Sequence, residues 1–126
     1  MIAAVLGAVA AIAMLVVVLA GGLGARPARM SDAFIGVEEY VAPEEDTAGL
    51  CAVVDCVEGW RTNVGTYLRF ETQDGAEYWS MVIGGDVHRN GTVLLDLDGY
   101  DLTIDDRELA VQMLFPGRDW DFTSPR

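Results

Sequence analysis

The first 23 residues carry no charged side chain, and only Gly7, Gly21 and Gly22 interrupt their apolar run. A helix rises about 1.5 Å per residue, so roughly 20 such residues cover the ~30 Å hydrocarbon core of a bilayer. The run is therefore read as a transmembrane anchor over residues 1–24, with the lipid bilayer as the partner of residues 1–23. Gly21, Gly22 and Gly24 loosen the chain after it, and Pro27 prevents simple continuation of a helix. Val18, Leu19 and Ala20 offer small residues for signal-peptide cleavage. No Lys or Arg precedes the run, however, and it exceeds the ~7–15 residues of a signal h-region, which favours a retained anchor.

Arg26 and Arg29 follow the run directly, so the positive-inside rule places the C-terminal side in the cytoplasm. Ala3, Gly7 and Ala11 recur four apart, with Ala4 and Ala8 beside them, a pattern on which two helices can pack closely as a homodimer.

All 20 Asp and Glu lie at or beyond Asp32, together with six of the eight Arg, and the chain has no Lys. Residues 31–126 thus carry a net charge of −14. Neutralising phosphates takes clustered Lys or Arg, so this composition argues against nucleic-acid binding. A basic partner, a cation or plain solubility fits it better.

Residues 25–49 read as an acidic juxtamembrane linker, or as a first strand built on Phe34, Ile35, Val37, Tyr40 and Val41 and ended by Pro43. Residues 50–126 read as one small β-rich domain. Cys51-Ala52-Val53-Val54 is a short apolar run broken by Gly59. In residues 64–70, Val64, Leu68 and Phe70 share one face and Tyr67 and Arg69 the other, at strand period. Asp74-Gly75, Asn90-Gly91 and Asp98-Gly99 supply the residues of tight turns. The first turn would return the chain as a strand over residues 78–83, with Trp79, Met81 and Ile83 on one face. Gly84-Gly85 and Asn90-Gly91 would bracket a loop holding His88. Thr92 to Leu97 would form the next strand, with Tyr100, Leu102 and Ile104 alternating after it.

Residues 105–115 fit two readings. Leu109, Val111, Met113 and Phe115 alternate as in a strand. Asp105 with Glu108 resembles a helix capping box, and Leu109, Ala110, Met113 and Leu114 share a helical face. Pro116 ends either element, and Trp120 and Phe122 are expected to fold back. The expected fold is mostly β: an N-terminal transmembrane helix, a small antiparallel β-meander forming a roll or partly open barrel, and one C-terminal helix under the second reading.

The chemistry-bearing residues are sparse. Cys51 and Cys56, if in a strand, stand about 17 Å apart, beyond the ~7 Å that a disulfide tolerates, so buried thiols are expected. Only a turn could bridge them, and a bridge would belong to an extracytoplasmic domain that binds a cation or another ligand. Two Cys and one His are too few for a structural zinc site. Asp96, Asp98 and Asp105 match part of a calcium loop, but Leu94 occupies its first position and cannot ligate, so an Asp-Gly turn explains them better. Asn90-Gly91-Thr92 fits the glycosylation pattern, but the tripeptide is common and a hairpin turn explains it better. No recognisable nucleophile motif accompanies His88, so no catalytic residues and no cofactor are expected. Trp60, Tyr67, Tyr78 and Trp79 alternate with charges; they either close the core or offer an interaction surface.

The uncharged N-terminal run followed by Arg, then Gly59-Trp60-Arg61-x-x-x-Gly65-x-Tyr67, Glu77-Tyr78-Trp79-Ser80 and Glu108-Leu109-Ala110, resembles the uncharacterised actinobacterial membrane family called domain of unknown function 2550. The resemblance covers about half the chain. It implies a single-pass protein with a small β-rich domain and no activity. Residues and resemblance together lead to one expectation, a membrane-tethered, non-enzymatic module for protein interaction.

Overall fold

A computed structural model describes residues 27–121. The apolar run, with Ala3, Gly7 and Ala11, lies outside the described residues, as does Phe122. Among the described residues no helix is long and apolar enough to cross a membrane.

Five antiparallel strands form one open sheet in the order β1-β2-β3-β5-β4. These are β1 (Glu44–Glu45), β2 (Glu58–Thr62), β3 (Gly65–Arg69), β4 (Val87–Asn90) and β5 (Val93–Asp96). The Thr62 hydroxyl closes the β2–β3 turn, accepting from Val64 N at 3.1 Å and donating to Gly65 O at 2.8 Å. Gly91, at φ +60°, turns β4 into β5. The central strand β3 is buried along its whole length.

Both sheet faces are covered, which is why the alternation in residues 64–70 does not separate core from solvent. One face presents Tyr67, Val93 and Leu95 to a 3₁₀ segment (Met30–Phe34), a helical turn α1 (Glu38–Val41), a C-terminal helix and Trp120. The other presents Leu68, Phe70 and Leu94 to a second long helix and to the loop from Cys51 to Cys56. An open sheet between two covering layers replaces the expected roll or barrel.

The largest departure from expectation is at residues 73–83. They form a helix, α3 (Gln73–Ile83), after a short α2 (Thr47–Leu50). The Thr72 hydroxyl accepts from Gly75 N at 3.0 Å and caps α3, so Asp74-Gly75 is its first turn, not a hairpin. Ala76, Trp79 and Ile83, spaced three and four apart, face the sheet. The chain then enters β4 at the sheet edge, so His88 is on a strand and not in a loop.

Residues 104–114 resolve as a helix, α4 (Ile104–Leu114). Its cap is Thr103, accepting from Asp106 N at 3.1 Å, and not the expected Asp105. Tyr100, Leu102 and Ile104 consequently form no strand. The expected strand over Phe34 to Val41 does not form and this stretch is no free tether, because Met30, Phe34 and Val41 are core residues in short helical segments; only Glu44–Glu45, beyond Pro43, is a strand. Gly59 lies within β2 and breaks nothing. Its missing side chain lets Leu50 pack on the strand, where a Cβ would come within 2.8 Å of Leu50 Cδ1.

The described ends clasp each other, as expected for Trp120. Ala28 N donates to Asp119 O at 2.8 Å, Asp121 N donates to Ala28 O at 2.6 Å, and Trp120 Nε1 donates to Leu114 O at 3.1 Å. This clasp marks one end of the sheet, beside Asn90 and Thr92. The register row Arg61–Thr66–Asp96–Val87 marks the far end, about 10 Å along the strands.

Candidate functional site: a groove at the far end of the sheet

Cys51 and Cys56 are joined by a disulfide with Cα atoms 4.9 Å apart, which corrects the expectation of buried thiols. The 17 Å separation applied to a strand. Here Asp46 caps α2 through Gly49 N at 3.2 Å, and the chain turns after α2, folding the two cysteines together.

The bridged loop forms one wall of a groove of about 440 Å³. Leu50, Val53 and Val54 stand on that wall, Thr66 and Leu68 on the floor, and Ile83, Asp98 and Tyr100 opposite. Aliphatic side chains thus surround a strip of polar groups. The Thr66 and Tyr100 hydroxyls share a hydrogen bond of 2.8 Å across the floor.

The charges around this groove are unevenly satisfied. Arg61 Nε donates to Asp46 Oδ2 at 2.9 Å, and this bond holds the Asp46 carboxyl below its usual range. Arg107 clamps Asp86 with two bonds of 2.5 and 2.7 Å, lowering that carboxyl too. His88 Nε2 lies 3.2 Å from Asp86 Oδ1 and 3.3 Å from Arg107 Nη2. Asp96 differs. Burial pushes its carboxyl up, the nearby Asp98 and Asp86 charges add to the effect, and only the Asp98 N–H, at 2.9 Å, opposes it. Asp98 accepts from Asp86 N at 2.9 Å. Among the described residues, Asp96 and Asp98 form no ion pair, and Arg61, which also lines the groove, is paired with Asp46.

The structure brings Asp96 and Asp98 together but places Asp105 in the first turn of α4. No group of three or more His, Cys, Asp or Glu among the described residues could hold a metal ion.

The four aromatics do not form one surface. Tyr67 is fully buried, donating to Ala110 O at 2.6 Å, and burial raises its phenol pKa. Phe34 packs on Trp60 and Tyr67 at centroid distances of 5.4 and 5.6 Å, so these two aromatics belong to the core. On α3, Tyr78 is 56% exposed and packs edge-on against the half-buried Trp79. With Met81, Val82 and Val53, Tyr78 leaves apolar area on the same covering layer as the groove. Sequence reasoning missed the groove residues Leu50, Val54, Thr66 and Ile83. Leu50 and Val54 come from α2 and the turn after it, Thr66 from β3 and Ile83 from α3, so no single stretch of sequence joins them.

No family model matches the chain, and no curated protein or solved structure does. The resemblance to domain of unknown function 2550 therefore rests on its short motifs alone.

Proposed function

We propose that the chain is a membrane-tethered, non-enzymatic protein-interaction module whose far-end groove receives an apolar partner segment bearing one basic side chain. The groove is the observation that carries this reading. Its aliphatic walls suit Leu- or Val-like side chains, and Asp96 and Asp98 supply the charge that a Lys or Arg complements. The net charge of −14 beyond residue 30 favours the same partner and disfavours nucleic acid. Among the described residues the hydrogen bonds of His88 Nε2 are to Asp86 and Arg107.

The side of the membrane follows from weighing two signals. Arg26 and Arg29 favour a cytoplasmic domain, but two charges are a weak bias. A bridged Cys51–Cys56 pair favours an oxidising compartment, because cytosolic reductants keep thiols reduced. We adopt the extracytoplasmic orientation. Close packing at Ala3, Gly7 and Ala11 would add a homodimer, and an unchanged crosslinked dimer in Gly7→Ile would remove that part.

The test is a titration of isotopically labelled full-length protein with short Lys- or Arg-centred aliphatic peptides and with matched Glu-centred ones. Shifts at Thr66, Ile83 and Asp96 with the basic peptides alone support the reading. The absence of shifts with any peptide sinks it.

A further inference from the structure

We infer that the open edge of β4, with the exposed side of α4 beside it, takes a second copy of this chain, β4 pairing with β4 in antiparallel register about His88. This pairing needs neither the groove nor the anchor.

The sheet ends in two edge strands, β1 and β4, and they differ. β1 is two residues long, follows Pro43 and consists of Glu44 and Glu45, so a second copy there would set carboxylates against carboxylates. β4 has four residues, and its one arginine, Arg89, bonds along the chain to Gly91 O at 3.1 Å.

The register fixes which backbone groups face outward. Asn90 pairs with Val93 across the Gly91-Thr92 turn, His88 pairs with Leu95, and Leu97 N donates to Asp86 O at 2.9 Å. Hydrogen-bonded and non-bonded pairs alternate along an antiparallel ladder. Asp86, His88 and Asn90 therefore bond to β5, and the N–H and C=O of Val87 and Arg89 point away from it. Among the described residues nothing bonds to those outward groups. They are self-complementary. About an axis through His88, Val87 of one copy faces Arg89 of the other, and each outward N–H meets an outward C=O.

Helix α4 runs along the same edge. Arg107 clamps Asp86, and Leu114 O accepts from Asn90 Nδ2 at 2.9 Å, so helix and strand run in the same direction. Ile104 and Val111, three and four residues from Arg107, share its side of the helix. With Phe115 they line an open hollow of about 510 Å³, and Ile104 is 84% exposed. Arg107 Nη2 lies 3.3 Å from His88 Nε2, so the axis passes beside Arg107. The axis sets α4 antiparallel to its copy and covers the hollow, Ile104 of each facing Val111 of the other.

Charge favours a second copy as the occupant. The chain beyond residue 30 carries −14, which opposes self-association over most of the surface. At this edge Arg89 and Arg107 offset Asp86 and Glu108. The same axis brings Arg107 of each copy beside Glu108 of the other, so the helix pair matches charge as well as apolar side chains.

The experiment puts a cysteine on the axis. Non-bonded neighbours across an antiparallel pair have Cα atoms about 4.5 Å apart, within disulfide range. Full-length His88→Cys, oxidised with copper phenanthroline in mild detergent, is expected to give a disulfide-linked dimer by intact mass. Glu44→Cys, on the other sheet edge, is expected to stay monomeric. Both carry Gly7→Ile, so that the anchor does not itself pair the copies. Adding Ile104→Glu to His88→Cys should slow linking roughly tenfold, because each copy loses the burial of one branched side chain. Arg89→Pro, which removes an outward N–H and leaves the ladder to β5 intact, should slow it too. Ile35→Glu, at a site 70% exposed on another side of the domain, should leave it unchanged. The absence of a linked dimer at His88→Cys, equal linking at Glu44→Cys, or a rate that Ile104→Glu does not change overturns the inference.

Discussion

Glu58 and Arg69 stand opposite each other on β2 and β3 with Arg69 Nε 3.1 Å from Glu58 Oε1, and 2% and 1% of the two residues is exposed. The other carboxylate oxygen accepts from Trp60 Nε1 at 2.8 Å. Removing Glu58 takes from the buried Arg69 guanidinium its carboxylate partner on β2 and from the Trp60 indole its acceptor. Glu58→Leu is expected to cost roughly 3–5 kcal/mol, while Glu58→Leu with Arg69→Met recovers most of that loss. Urea unfolding of the three proteins checks it; equal midpoints for the single and double variants would contradict the pair's role.

The Cys51–Cys56 bridge closes a short loop, so its stabilisation is modest. Cys51→Ser with Cys56→Ser is expected to lose about 2 kcal/mol by loop-closure entropy. The wall formed by Leu50, Val53 and Val54 then loosens, and peptide binding at the groove should weaken more than global stability does. Calorimetry and peptide titration on the same variant give both numbers. Unchanged binding would show that the bridge does not shape the groove.

Thr92 is 5% exposed, and its hydroxyl has no hydrogen-bond partner among the described residues. A buried unmade hydrogen bond costs about 1–3 kcal/mol, and Val has the same shape. Thr92→Val is expected to raise thermal stability by about 1 kcal/mol. A drop of similar size would mean that the hydroxyl is satisfied in solution.

The Asp86–Arg107 clamp sets an acid limit. Arg107 lowers the Asp86 pKa in the folded state, so the stabilisation is complete above the ordinary carboxylate range and is lost as pH falls through the depressed value. Asp46 beside Arg61 acts in the same direction. Asp96, raised by burial, acts oppositely, favouring the fold below the ordinary range and losing that contribution as pH climbs past its folded value. Asp86→Asn should therefore flatten the fall of the melting temperature below about pH 4 without abolishing it. Asp96→Asn should raise the melting temperature at pH 7. Melting curves from pH 2 to 7 check both.

These residues also show why the fold was only partly legible in the sequence. The apolar runs of β3 and β5 and the turn at Gly91 were readable, because strand period and turn residues are local. Helix α3 was not. Tyr78, Trp79, Met81, Val82 and Ile83 have the aromatic and branched character of a strand, and Asp74-Gly75 imitates a hairpin. The signal that could have found α3 is Thr72 as a cap ahead of Ala76, Trp79 and Ile83 at helical spacing. Arg69 looked solvent-facing because a charge alternating with apolar residues normally is; a second covering layer buries it. Cys51 and Cys56 were misjudged through one wrong local assumption, an extended chain where α2 and its turn lie. The groove depends on tertiary neighbours alone, so no window of sequence contains it.

The most direct measurement is the redox state of Cys51 and Cys56 in the native membrane. Cells are quenched in acid, and the membrane fraction is alkylated with and without prior reduction and weighed by intact mass. The chain is expected in the membrane fraction, unlabelled until reduced and doubly labelled after, as an extracytoplasmic tethered domain requires. Two labels without reductant, or recovery of the chain outside the membrane fraction, would contradict it.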